Sequence, residues 1–128
     1  MTSPARHISK AAELVREFNH TSRSTGKDWE YPSASYGALG ALSHLVGMLP
    51  QALEQSVRPV MHTYEHGRVK IDGNGDPDAA VRYLREALDR AVRAASALTE
   101  AVDRMHSETS PLGLDTRGLP EFEDGEGE

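Results

Sequence analysis

The densest reactive chemistry in the chain lies in five consecutive residues, His62-Thr63-Tyr64-Glu65-His66. They spell H-x-x-E-H, an inverted zinc-protease motif in which two histidines on one helix face hold the metal and the glutamate acts as general base. A zinc-dependent hydrolase also needs a third protein ligand. The helix that follows offers Glu86 and Glu100, but both fall on its charged face. Gly67 ends the first helix beside His66, and histidines near a helix C-terminus are already favoured by the dipole. The simpler reading is two surface histidines with no metal.

A second candidate is Asp72-Gly73-Asn74-Gly75-Asp76-Pro77-Asp78, whose oxygens alternate as in the first half of a calcium loop. The sixth position of such a loop is glycine and the twelfth a bidentate glutamate; here they are Pro77 and Tyr83. A turn followed by a helix cap accounts for the same residues. Gly37 and Gly40 follow no strand and lead to no lysine at phosphate-loop spacing. Cysteine is absent, which removes thiolate chemistry, thiolate metal sites and disulfides. Ser43 and His44 are adjacent, so on a helix they point apart and form no dyad. No catalytic constellation is complete, and the expectation is a protein that is not an enzyme and carries no cofactor.

These residues sit on elements that the apolar spacing defines. A helix is expected over Pro4–His20, with Ser3 as its cap and Ile8, Ala11, Val15 and Phe18 on one face. A polar loop, Thr21–Pro32, carries the only tryptophan, and Trp29 and Tyr31 are expected to fold back over the end of the bundle. A second helical stretch runs over Ser33–Glu65. Pro50 and Pro59 lie inside it, and each predicts a kink or break, near Met48–Pro50 and more weakly near Val57–Pro59. Gly37, Gly40, Ser43 and Gly47 form a small-residue strip there. Each glycine costs about 1 kcal/mol of helix propensity relative to alanine, which predicts a close helix crossing at Gly40 and Gly47.

After a turn over Gly67–Gly75, Asp76-Pro77-Asp78 opens the last helix, which is expected to run to about Ser107. Its seam is Val81, Leu84, Leu88, Ala91, Ala95, Leu98, Val102 and Met105, in steps of three and four like a coiled coil. Beside the seam Ala80, Ala87, Ala94 and Ala101 recur every seven residues, and these small side chains let another helix approach. Opposite charges four apart mark the water-facing side: Asp78–Arg82, Arg82–Glu86, Arg85–Asp89, Glu86–Arg90, Asp89–Arg93 and Glu100–Arg104.

Charge divides the chain. Residues 1–107 hold 13 Lys+Arg and 13 Asp+Glu, whereas residues 108–128 hold one arginine and seven acids, so the whole net charge of −6 lies in the tail. A neutral body disfavours nucleic acid as a partner, because non-specific affinity comes mainly from neutralising phosphates. The expected organisation is a helical domain over 1–107 and a disordered acidic tail over 108–128. The most apolar run, Ala38–Leu49, is twelve residues, short of the roughly 20 a membrane span needs, and the N-terminus has no apolar signal core; the expectation is a cytoplasmic protein with no membrane partner.

Trp29 between two helical stretches is a point shared with WXG100 hairpins, but Trp29-Glu30-Tyr31 is not W-x-G, and that family is set aside. Four phrases resemble small, mostly uncharacterised helical proteins of Streptomyces-type actinobacteria: Ala12–His20 (AELVREFNH), Asp28–Pro32 (DWEYP), Gly47–Gln55 (GMLPQALEQ) and Gly75–Val81 (GDPDAAV). That resemblance implies an actinobacterial cytoplasmic protein, is compatible with an origin in a mobile or phage-derived element, and brings no activity or site residues with it.

The fold these readings predict is all-α, a three- or four-helix bundle with a long C-terminal helix. One short and one kinked helix cannot cover the wide apolar face of a long one, so a two-fold homodimer is expected. Its interface residues are Gly40, Gly47, Ala80, Ala87, Ala94 and Ala101. The expected function is a non-enzymatic helical interaction or regulatory module. A nucleic-acid-associated accessory factor of a mobile element, and a zinc hydrolase at His62/Glu65/His66, are the alternatives.

Overall fold

A computed structural model describes residues 3–73 and 75–122. Five α-helices run in order: α1 (Ala5–Thr21), α2 (Pro32–Gly47), α3 (Leu49–Ser56), α4 (Arg58–Glu65) and α5 (Pro77–Thr109), with no strand among the described residues. The chain divides into two compact units. One holds the described residues of Met1–Ser35 with those of Leu112–Glu128, and the other is Tyr36–Pro111.

In the first unit, Pro4 holds the N-cap position of α1, and the Ser3 hydroxyl just before it accepts from the Ala5 N–H at 3.3 Å. The apolar face of α1 stays open: Ile8 is 58% and Leu14 62% exposed. At its C-terminal end Trp29 stands edge-on to Phe18 with centroids 5.5 Å apart. The indole N–H of Trp29 donates to the Ser22 carbonyl at 3.2 Å, which fixes the ring over the last turn. Asp28 reaches this turn with a positive φ of 74°, a conformation Asp tolerates better than most residues. Tyr31 in turn meets Phe122 edge-on at 6.1 Å.

The second unit is an antiparallel hairpin, with α2, α3 and α4 on one arm and α5 on the other. The helical stretch expected over Ser33–Glu65, with a kink or break at each proline, is three helices. Pro50 and Pro59 each occupy the second position of a new helix, where their missing N–H would have had no partner anyway. Both breaks are therefore complete, including the one at Pro59 expected to be weaker. Gly67 terminates α4 with φ +66°: its N–H donates to Tyr64 O at 2.9 Å and the Arg68 N–H to Thr63 O at 3.0 Å. That paired closure requires a left-handed residue, which glycine supplies without penalty.

α5 is continuous over 33 residues, about 50 Å at 1.5 Å per residue. Asp76 caps it by accepting from the Asp78 N–H at 3.0 Å, with Pro77 in the first turn. Side-chain contacts fix the register against α2. Tyr36 stacks on His106 at 4.3 Å, and Ser43 donates to the Asp103 carboxylate. A methyl at Gly40 would lie 3.1 Å from His106 Nε2, and one at Gly47 4.0 Å from Thr99 Cγ2. From Gly40 through Ser43 to Gly47, steps of three and four up α2 are matched by steps of three and four down α5, the signature of antiparallel helices. Among the described residues the apolar side chains buried are Val46, Val81, Ala95 and Val102, a core of small residues.

The seam on α5 differs from expectation in its second half. Val81, Ala95 and Val102 are buried, but Leu98 is 47% and Met105 53% exposed. A helix of 3.6 residues per turn rotates a strict heptad row by about 20° per repeat. The row Leu84, Ala91, Leu98, Met105 therefore turns outward along the helix. Thr99 and His106 rotate inward to replace it, and these two meet Gly47 and Gly40. Of the six charge pairs expected on α5, none closes to ion-pair distance among the described residues; Arg104–Glu108 does, at 2.9 Å. Exposed pairs of that kind are worth only tenths of a kcal/mol, too little to hold two long side chains together. Asp78 is taken by Tyr64 instead, and Arg82 and Arg85 lie over the Tyr83 and Tyr64 rings at 5.2 and 5.8 Å.

Candidate interaction surface

The most distinctive surface in the second unit is one flank of α5. At 100° per residue, Ala80, Tyr83, Leu84, Ala87, Ala91, Ala94, Leu98, Ala101 and Met105 fall within an arc of about 100° that contains no charged residue of the helix. Ala87, Ala94 and Ala101 are exposed, Ala80 is partly covered, and Tyr83 is 61% exposed. The arc begins at the edge of the buried row and ends at Arg90 and Glu108. It forms an apolar strip along most of the 33-residue helix. Scattered apolar side chains are normal on a protein surface, but a continuous strip marks a place where something packs.

The six residues expected at the interface therefore separate into two groups. Gly40 and Gly47 face α5 inside the hairpin, where the absence of a side chain makes room for His106 and Thr99. Ala87, Ala94 and Ala101 are exposed among the described residues, and Ala80, at the start of the same row, is half-buried. Tyr83 lies on this flank, and Leu98 and Met105, expected on the apolar seam, are exposed with it. The signal that identifies all three is their phase on a 3.6-residue helix, read across three heptads.

The two polar motifs have a plain geometry. His62 and His66 are exposed, with ring centroids 4.5 Å apart. The Nδ1 of His66 lies 2.8 Å from the His62 carbonyl oxygen, and His66 is the C-cap of α4. Glu65 is exposed beside them. Among the described residues, no group of three or more His, Cys, Asp or Glu is gathered so that it could hold a metal ion. In the Asp72–Asp78 stretch, Asp76 serves as the cap of α5, Asp78 accepts the Tyr64 hydroxyl at 2.6 Å, and Asn74 lies outside the described residues. That hydrogen bond, with the nearby Asp78 and Asp76 charges, raises the Tyr64 phenol above its ordinary value while Arg85 pulls it the other way. In the first unit, the Arg117 guanidinium holds the Asp115 carboxyl below the usual carboxylate range.

No helix among the described residues is long and apolar enough to cross a membrane. Set against known protein families, curated proteins and solved structures, the chain matches none of them.

Proposed function

We propose that this chain is a helix-docking module, not an enzyme, and that the charge-free flank of α5 is its working surface. The observation that carries this reading is the exposure of Ala87, Ala94 and Ala101 beside Leu98 and Met105 on a helix whose adjacent row is buried. Small side chains let a partner backbone approach closely, and the larger neighbours supply apolar area at the rim of the contact. The simplest partner is the same flank of a second copy, in a two-fold dimer in which each residue of one protomer meets its symmetry mate. Arg90 and Glu108 at the border of the flank give such a contact a polar edge.

Light scattering on the purified protein at tens of micromolar tests this. The expected mass is twice that of one chain, and Ala94→Glu is expected to return it to a single chain with its helix content unchanged. A single-chain mass for the unaltered protein rejects the dimer.

A further inference from the structure

Every residue of α1 is exposed, and within its unit no other helix packs on it among the described residues. The helix is nonetheless two-faced. At 100° per residue, Ile8, Ala11, Ala12, Leu14, Val15 and Phe18 share one half of its circumference. That half runs from Leu14 round to Ala5 and holds no Arg, Lys, Asp or Glu; His7 and Asn19 are its polar side chains.

The charges of α1 are sorted by position. Lys10 and Arg16 border the apolar half, one on each side, within about 40° of Leu14 and Ala12. Glu13 and Glu17, with Arg6 between them, hold the centre of the polar half. Neither Lys10 nor Arg16 is in an ion pair among the described residues. Arg23 and Lys27, exposed in the loop that follows, bring residues 5–27 to five cations against two acids. Trp29 extends the apolar half through Phe18, with its N–H turned to the Ser22 carbonyl, and Tyr31 is exposed two residues on. A helix lying in a membrane–water interface has this layout. Its apolar face meets the acyl chains, bordering Lys and Arg stems reach along it to the phosphates, and Trp and Tyr sit at headgroup level. The acids are then farthest from the lipid.

We propose that α1 docks lengthwise on an anionic lipid bilayer, apolar half inward, with Lys10 and Arg16 on lipid phosphates and Trp29 at headgroup level. Area favours a bilayer over a protein partner. The apolar half of this 17-residue helix is about 26 Å long and about 10 Å wide, on the order of 260 Å². A stable protein interface takes about 800 Å² from each side. A fluid bilayer needs no matched shape, and its negative surface attracts the bordering cations. The expectation of no membrane partner rested on the length of a span, and an interfacial helix does not span. This contact uses α1 and the loop after it, so it stands or falls independently of the dimer on α5.

Trp29 is the only tryptophan, so the unlabelled full chain reports on the contact itself. With vesicles of phosphatidylcholine containing about 30% phosphatidylserine, the chain is expected to sediment with the lipid and the Trp29 emission to move to shorter wavelength. Affinity at low salt is expected to exceed that for pure phosphatidylcholine at least about tenfold, given about 1 kcal/mol for each cation near the surface. Lys10→Gln with Arg16→Gln is expected to remove most of that preference. Ile8→Gln with Leu14→Gln is expected to abolish binding to both kinds of vesicle, with helix content in buffer unchanged because neither side chain is buried. No sedimentation with the phosphatidylserine vesicles overturns the proposal, as does equal affinity for the two kinds. Binding that survives Ile8→Gln with Leu14→Gln but is lost with Leu98→Glu places the contact on α5 and overturns it too. A lipid-free mass that falls with Ile8→Gln and Leu14→Gln shows α1 covered by a second copy instead, and also overturns it.

Discussion

The two sides of α5 are built from similar residues and have opposite fates. Val81, Ala95 and Val102 are buried against the other arm of the hairpin, whereas Ala87, Ala94, Ala101, Leu98 and Met105, on the adjacent side, face outward. Apolar character alone does not separate them; what does is the other arm of the hairpin, whose α3 and α4 pack on α5 and whose Gly40, Ser43 and Gly47 meet His106, Asp103 and Thr99. An apolar row therefore states that a face needs cover, and the chain's own topology decides which row receives it. The strongest way to break this contrast is to place a carboxylate on each side in turn. Val81→Asp puts an unpaired charge at a position 3% exposed, and is expected to cost on the order of 4 kcal/mol, seen as a large drop in the urea midpoint. A midpoint unchanged by that substitution means that the buried row is not the core.

Leu98→Glu, on the outer side, is expected to leave the urea midpoint of the single chain within about 0.5 kcal/mol, as surface changes usually do. Its effect falls on self-association instead. We expect the dissociation constant measured by sedimentation to rise at least about tenfold, about 1.4 kcal/mol. Equal self-association for Leu98→Glu and the unaltered protein removes the flank from consideration.

The glycines of α2 sharpen the same contrast at smaller scale. Gly37 has nothing near it and Gly40 has His106, although the two are less than one turn apart. Gly37→Ala is expected to stabilise the fold by about 1 kcal/mol, the ordinary gain of alanine over glycine in a helix. At Gly40 the same gain meets the His106 ring at 3.1 Å from the new methyl, a ring already stacked on Tyr36. The ring must shift by a few tenths of an ångström and loosen that stack. Gly40→Ala is therefore expected to fall short of Gly37→Ala by on the order of 1 kcal/mol in parallel thermal melts. Equal gains at both positions indicate that the crossing is looser than the side-chain contacts imply.

The all-helical class, the cap at Asp76, the ends of α1 and α5 to within two residues and the two proline breaks are legible in the sequence, because local backbone chemistry decides each of them. The completeness of the break at Pro59 is not, since it depends on whether packing holds the two halves in line across the missing hydrogen bond. The fate of Leu98 and Met105 is obscured for a different reason. A 3-4 pattern reads as a single seam only when supercoiling absorbs the drift of about 20° per heptad, and sequence spacing does not report supercoiling. The candidate surface is legible as a strip of alanines, but not as a free one: Gly40 and Gly47 belong to the same small-residue class, and only their placement shows that α5 occupies them.

The smallest expected effect comes from the base of the hairpin, where Tyr64 on α4 donates to Asp78 in the first turn of α5 at 2.6 Å. The carboxylate favours the protonated phenol, so the folded chain holds that proton more tightly than the unfolded chain does. The bond's contribution to stability is accordingly full at every pH below the ordinary tyrosine value. It is lost as pH rises through the higher value of the folded state. Compared with Tyr64→Phe, the unaltered protein is expected to show an extra fall in its urea midpoint confined to that alkaline window. Asp78 is exposed and Tyr64 only half-buried, so the difference is slight, and it is read as the gap between two otherwise parallel pH profiles. Coincident profiles mean that the tie between α4 and α5 does not persist in water. The hairpin is then closed by the Gly67 turn and the buried row alone, and the contrast between the two sides of α5 rests entirely on packing.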